Sequence, residues 1–312
     1  MTVFGPIPSR RLGRSLGVNN IPPKVCTYSC VYCQLGSTDY MSLKRREFFT
    51  PEQIYNEISE KIHQLKDKGE RIDFLTFVPD GEPTIDINLG KTIERLKEFK
   101  IKIAVITNSS LIWIKEVQND LLNADWVSVK IDSAIEKTWR KINRPHGILK
   151  LKKIIQGIEE FAASFKGILT TETMLIKNVN DNLESIIKTA ELIKYINPEK
   201  AYILAPTRPP AENWVKIPDE HELNTAYQVF RSLNIDSELL IQNEGSEFTY
   251  SLNVENELLS ILAVHPMRKD AIDEFIKKAN ANNSLILSLI ESKAIREVQY
   301  NNNTFYLKNL RK

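Results

Sequence analysis

The feature that most constrains this chain is an alternation. Short β-branched apolar runs and amphipathic stretches of helical period take turns from residue 15 to residue 205. Strands joined by helical crossovers run parallel, and a parallel sheet is covered on both faces. The clearest unit begins at Thr50, which stands before Pro51 as an N-cap stands before a first-turn proline. In PEQIYNEISEKIHQLKDKG, Ile54, Ile58, Ile62 and Leu65 share one face and Gly69 ends the helix, after which RIDFLTFV reads as a strand. The series continues with a helix near 88–99, KIAVIT, a helix near 112–123, WVSVKID, a helix near 149–165, GILTTETMLI, a helix near 182–195 and KAYILA. With SLGVN ahead of them, these six strands predict an α/β fold whose parallel sheet curls partly or wholly into a barrel.

After the sixth strand come a proline-rich loop, PTRPPAENWVKIP, a helix near 219–233 and a strand, DSELLIQ. A second module starts at Val254, with helices near 255–264, 268–280 and 284–293 and a hairpin, AIREVQYNNNTFYLKNL, that turns at its asparagines. This predicts a core at 1–253 and a small tail at 254–312 that resembles a winged helix. At 312 residues, 42% hydrophobic and 26% charged, the chain has material for one large domain and a small one. No apolar run is long enough for a membrane span or a signal sequence, so we expect a cytoplasmic protein without a membrane partner.

All three cysteines, Cys26, Cys30 and Cys33, fall within KVCTYSCVYCQLG. An odd cluster does not make a disulfide framework, and it argues for a reducing compartment and metal ligation. A structural zinc site wants four protein ligands, yet the histidines, at 63, 146, 221 and 265, are distant in sequence. Spacing alone favours an iron-sulfur cluster and leaves zinc or buried free thiols open. Net charge is only +2, although residues 1–50 hold seven Lys/Arg against two Asp/Glu, Arg10, Arg11 and Arg14 among them. The period-two rule sets Ser128, Lys130 and Asp132 on one face of VSVKIDS, and Thr170, Glu172 and Met174 on one face of TTETM. Polar faces on buried strands point to a lumen that holds a polar or charged ligand.

CTYSCVYC, with Tyr32 directly before the third cysteine, resembles the CxxxCxxC signature of the radical S-adenosylmethionine (SAM) superfamily. The resemblance implies a partial (β/α)6 barrel similar to a TIM barrel. It also implies a 4Fe-4S cluster on Cys26, Cys30 and Cys33 whose open iron binds SAM, and reductive cleavage of SAM to a 5′-deoxyadenosyl radical. FVPDGEPT is similar to the family's glycine-glycine-glutamate motif, with Asp80 in place of the first glycine. Gly81 would then allow close backbone approach, and Glu82 would accept from the SAM ammonium. Asn108 and Ser109 in TNSS would contact the SAM carboxylate or the substrate, and Ser128 or Asp132 the ribose. Lys130, Glu172 and Arg208 of APTRPP are the substrate-side candidates.

VFGPIPSRRLGRSLGVNNIPPKVCTYSCVYCQLG, with NRP at 143–145 and APTRPP, resembles a radical SAM group related to the wyosine tRNA-base synthases. One cluster uses every cysteine, which excludes an auxiliary cluster, a methyl-carrying cysteine and a cysteine hydrogen donor. RNA, especially tRNA, is the leading substrate class, a peptide or protein the next. An electron donor such as ferredoxin or flavodoxin is implied. Residues 254–312 hold nine Lys/Arg against seven Asp/Glu, and NSLILSLIESKA lacks base-reading side chains, so the tail is not expected to read duplex DNA. Lys269, Lys277 and Lys278 would instead touch an RNA backbone. A non-enzymatic iron-sulfur redox sensor is the remaining alternative, and the polar strand face and DGEP argue against it because a sensor needs no SAM pocket.

Overall fold

The computed structural model describes residues 2–241, 254–282 and 284–309. The chain enters on β1 (Val3–Ser9) and turns back as β2 (Gly13–Val18). A long loop with two short paired strands, β3 (Val25–Cys26) and β4 (Tyr40–Met41), leads to helix α1 (Pro51–Lys66). Then follow β5 (Phe74–Phe77), α2 (Leu89–Leu96), β6 (Lys102–Thr107), α3 (Lys115–Leu121), β7 (Trp126–Lys130), α4 (Glu136–Asn143) and α5 (Leu151–Ser164). The core closes with β8 (Ile168–Met174), α6 (Leu183–Ile196), β9 (Lys200–Leu204), α7 (Glu220–Ser232) and β10 (Ser237–Leu240). Eight strands form one sheet in the order β1-β2-β5-β6-β7-β8-β9-β10, parallel from β2 onward, with β1 antiparallel at one edge.

Local chemistry accounts for the expected elements. The Thr50 hydroxyl accepts from the Gln53 amide at 3.1 Å, Pro51 opens α1, and Ile54, Ile58, Ile62 and Leu65 are buried. On β7 the two faces part as the period requires. Val127 and Val129 join the core beneath the helices, whereas Ser128 and Lys130 turn to Glu172 on β8. Below that polar level the lumen is filled by Leu12, Ala104, Trp126 and Tyr202.

Three elements depart from expectation. VFGPIPS carries a glycine and two prolines, which argue against a strand, yet it pairs as β1 at an edge, where missing donors are tolerated, with a register shift between Phe4 and Ile7. DSELLIQ belongs to the same sheet: as β10 it pairs parallel with β9, so seven strands are parallel and α7 is one more crossover. The eight-residue α4 lies where no helix was expected. Among the described residues the two sheet edges do not pair into a closed barrel. Instead Arg10, just beyond β1, donates to the Leu240 carbonyl of β10 at 3.3 Å across the gap.

The tail runs α8 (Val254–Val264), β11 (Met267–Arg268), α9 (Lys269–Lys278), α10 (Ser284–Glu291), β12 (Ile295–Tyr300) and β13 (Asn303–Lys308). It has the expected three helices and hairpin, plus β11, which pairs antiparallel with β13. The expected boundary at 253/254 adjoins residues 242–253, outside the described residues, as does the hairpin's last expected residue, Leu310. The tail has its own apolar centre around Ile261, Ile272 and Phe275. It docks through a Lys61–Glu257 ion pair, Gln34 Nε2 on the Val264 carbonyl (2.7 Å) and the Tyr300 hydroxyl on the Pro206 carbonyl (2.7 Å). Among the described residues, no helix is long and apolar enough to cross a membrane.

Gly17 pairs with Phe4 across β1 and β2, and a Cβ at Gly17 would overlap the Phe4 ring. Gly17→Val should therefore lower stability by about 1–3 kcal/mol by overpacking the hairpin. Urea unfolding of the two proteins checks this, and an unchanged midpoint would show that the ring moves aside freely.

Candidate active site

The C-terminal ends of the strands open into a cavity of about 550 Å³. That rim is where open parallel sheets bind their ligands. Cys26, on β3, and Cys30 and Cys33, in the loop after it, all line this cavity. The loop is pinned from several sides. The Lys24 amide donates to the Asp80 carbonyl (2.7 Å) and the Glu82 amide to the Val25 carbonyl (3.2 Å), so the turn after β5 pairs with the backbone that carries Cys26. A Cβ at Gly81 would overlap the Val25 carbonyl, which gives this glycine a physical reason independent of any ligand. On the other flank, the Val31 amide donates to the Ile142 carbonyl (2.9 Å), and Asn143 Nδ2 reaches Cys30 Sγ (3.5 Å).

The thiols share one electrostatic condition. Burial, followed by the Asn143 hydrogen bond and the charge of Asp132, sets Cys30, whose pKa is pushed up to about 12. Burial also pushes Cys26 and Cys33 up, against amides donated by Tyr28 and Leu35. Ionising three such thiols together requires a compensating cation. Among the described residues, no three His, Cys, Asp or Glu side chains converge as a ligand set for a single ion.

Above the apolar filling of the lumen lies a layer of paired charge. Glu172 Oε1 pairs with Arg11 and accepts from the Ser128 hydroxyl (2.9 Å), and its Oε2 lies 3.5 Å from Lys130 Nζ. Burial opposes the charge on Glu172, but Arg11 and Lys130 outweigh it and hold the carboxyl below its usual range. Burial likewise opposes the charge on Lys130, and Asp132 and Glu172 overcome it, so its pKa is raised. Its ammonium also sits over the Tyr32 ring, 5.2 Å from the centroid. Lys130, Glu172, Arg208 and Tyr32 all line the cavity.

Other candidates have different occupations. The Glu82 carboxylate is fully buried and accepts from the Thr84 amide (3.1 Å) and hydroxyl (2.6 Å), the Thr107 hydroxyl (2.6 Å) and the Asn108 amide (2.7 Å). It locks the ends of β5 and β6 together. Asp132 accepts from Tyr32 Oη (2.6 Å), Asn143 Nδ2 (2.6 Å) and the Met174 amide (2.8 Å), and thereby fixes the aromatic of the cysteine motif. Ser109, with φ +67, accepts from the Lys130 amide (3.0 Å), while Ser128 serves Glu172. Gly81 and Asn108 do reach the cavity, and Asn108 Nδ2 lies 3.5 Å from Cys26 Sγ and 2.8 Å from Thr27 Oγ1.

The structure adds residues to which the sequence assigned no role. Asp80, noted only as a departure from glycine, lines the cavity at 2% exposure, and its Oδ1 has no hydrogen-bond partner. His265 and Met267 bring the tail into the cavity wall, where His265 meets Arg208 at 3.3 Å and Arg208 donates to Gln34 Oε1 at 2.8 Å. Of the basic N-terminal residues, Arg10 and Arg11 line the cavity, whereas Arg14 pairs with Glu70 outside it. NRP is also explained: Asn143 ties Cys30 to Asp132, and Arg144 pairs with Glu212 on the β9–α7 loop.

Residues 20–193 match the family model described as the radical SAM superfamily. A UPF0026 protein of Methanocaldococcus jannaschii is 48% identical over 314 residues, covering 100% of this chain and 97% of that protein. A protein of Malacoplasma penetrans named "probable dual-specificity RNA methyltransferase" is 27% identical over 183 residues, 55% of this chain and 51% of its own length. Among solved structures, a radical SAM methyltransferase from Sphaerobacter thermophilus superposes with a TM-score of 0.54 at 16% identity, over 73% of this chain and 67% of that one, a likeness of fold.

Asp80 makes the cluster-free protein pH-sensitive. Burial raises its pKa from 3.8 to about 7 against the pull of Lys308. Between those values the folded chain holds a proton that the unfolded chain has lost. Its contribution to stability is therefore complete below about pH 4 and falls away as the pH rises through 7. Asp80→Asn should match the wild type near pH 4 and exceed it by up to about 4 kcal/mol at pH 8. Denaturant titrations at both pH values check this; a pH-independent difference would place the carboxylate in contact with solvent.

Proposed function

The chain belongs to the radical SAM superfamily, and from that premise we propose that Cys26, Cys30 and Cys33 hold a 4Fe-4S cluster and that SAM and an RNA substrate meet in the cavity beside it. The observation that carries this reading is that all three cysteines, half-buried, line the same cavity at the C-terminal rim as the paired-charge layer. Three thiolates leave one iron open. When bound and reduced by a donor such as ferredoxin or flavodoxin, the cluster supplies the electron that cleaves SAM to the radical that takes hydrogen from substrate.

The protein's own groups position and enclose. Asp80, with its unpartnered buried oxygen, replaces Glu82 as the acceptor for the SAM ammonium, while Glu82 keeps the rim in shape. Asn108 stands between Cys26 and the rim, as expected of a SAM-carboxylate contact. Lys130 and Arg208 offer cationic donors to an anionic substrate group, and the Arg11–Glu172–Lys130 layer holds Lys130 charged and in place. The tail screens one side of the cavity from water through His265 and Met267. Thiol ligands that must remain reduced fit a cytoplasmic protein. RNA is favoured over peptide by the group resemblance, by the relative named as an RNA methyltransferase and by the cationic lining of the rim.

Anaerobically reconstituted protein should hold about one four-iron cluster and, with a strong reductant, form 5′-deoxyadenosine from SAM, whereas Cys30→Ala should do neither. Iron and sulfide analysis with product chromatography tests this; SAM cleavage surviving loss of all three cysteines would end the reading. Calorimetry then separates the carboxylates. Asp80→Asn should weaken SAM binding by about 1.5–3 kcal/mol, and Glu82→Gln should leave affinity near wild type but lower the melting temperature. The reverse pattern would return the ammonium to Glu82.

A further inference from the structure

A second surface on the same rim has no role in holding the cluster or SAM. Trp214, 43% exposed, stands on the β9–α7 loop, six residues beyond Arg208. Its neighbour Val215 is 1% exposed and packs with Val31 of the cysteine loop, Ile142 of α4 and Ile176 of the β8–α6 loop. The Glu212 amide donates to the Val31 carbonyl (3.1 Å), and the Lys177 amide to the Lys216 carbonyl (3.0 Å). The indole is therefore presented outward on a fixed base.

Cations approach it from helix α4, the β8–α6 loop and its own β9–α7 loop. Lys141, at the end of α4, holds its ammonium 5.9 Å from the indole centroid, while Lys177 and Lys216 share a shallow groove with Trp214 and Asn178. Of the nearby acidic groups, Glu212 pairs with Arg144 and Asp219 binds Lys177 through both oxygens at 2.7 Å, while the charges of Glu222 and Asp181 also bear on Lys177. Lys141 and Lys216 make no ion pair among the described residues. An exposed aromatic plane flanked by lysines is the arrangement on which single-stranded nucleic acid stacks its bases and neutralises its phosphates. A folding role does not account for the indole, since Val215 and Ile142 already bury the loop.

We infer that Trp214, with Lys141 and Lys216, is a docking platform for single-stranded nucleic acid, one base stacking on the indole and the flanking phosphates meeting the two lysines. The inference rests on the reading of this rim as the substrate face. Six residues span at most about 20 Å, so a strand held at Trp214 lies within a few nucleotides of Arg208 and the cavity. The platform moves the expected RNA contact from Lys269, Lys277 and Lys278 on α9 to the barrel rim. Lys278 there pairs with Glu274 within its own helix at 3.0 Å.

Fluorescence anisotropy of the full-length chain with a labelled single strand of about twelve nucleotides, as RNA and as DNA of the same sequence, tests the platform. We expect Trp214→Ala to weaken binding about tenfold or more and Trp214→Phe to retain most of it. Lys141→Ala with Lys216→Ala should flatten the salt dependence by about 0.7 in slope for each phosphate that a lysine no longer neutralises. Tighter binding of the RNA assigns the ligand to RNA, and equal binding assigns it to single strands of either sugar. Trp214→Ala binding like wild type, or no binding of either strand, overturns the inference. Melting curves for each variant verify that it is folded. The assay reads association with or without cluster, so its failure leaves SAM cleavage standing, and failure of SAM cleavage leaves the platform standing.

Discussion

The site depends on a backbone pairing that no side chain makes. Where the turn after β5 meets the strand that carries Cys26, the Lys24 and Glu82 amides are satisfied by the carbonyls of Asp80 and Val25. That approach is possible only because Gly81 has no Cβ. The cysteine loop is thereby welded to the sheet, and the distance from the thiols to the rim becomes a property of the backbone. Glu82 reinforces the weld from beneath by gathering donors from β6. A loop of this length without such anchoring would carry ligands on a tether, and a preorganised site needs them fixed.

Much of this was legible in the sequence, for physical reasons that also explain the remainder. Period two on β7 and β8 told lumen from core, and Val127, Val129, Lys130 and Glu172 fell where it put them. The cysteine spacing pointed to a loop that lines the cavity. Local pattern stops informing where a residue's partner comes from a distant part of the chain. Nothing local to DGEP shows that Glu82 is saturated by Thr107 and Asn108 while Asp80 is left with a bare oxygen. Nothing near VSVKIDS shows that Asp132 is claimed by Tyr32 and Asn143. β1 was hidden for another reason, because its prolines contradict the propensity rules that find strands and only its edge position reconciles them.

The tail changes meaning once its contacts are known. As a sequence it reads as a separable unit, with its own apolar centre and hairpin. In the molecule its α8–β11 corner meets the residue after Cys33 and the loop that bears Arg208. The cavity is therefore lined by both units. The tail and the barrel rim are two walls of one chamber, and their relative placement sets its shape.

The gap between β1 and β10 carries a mechanical consequence. A closed barrel can widen only by breaking ladder hydrogen bonds, several at once and cooperatively. Here the seam is spanned by side chains, with Arg10 reaching Leu240. Side chains change rotamer on a picosecond-to-nanosecond scale. The lumen can thus alter its girth without unzipping any strand, as an elastic collar does.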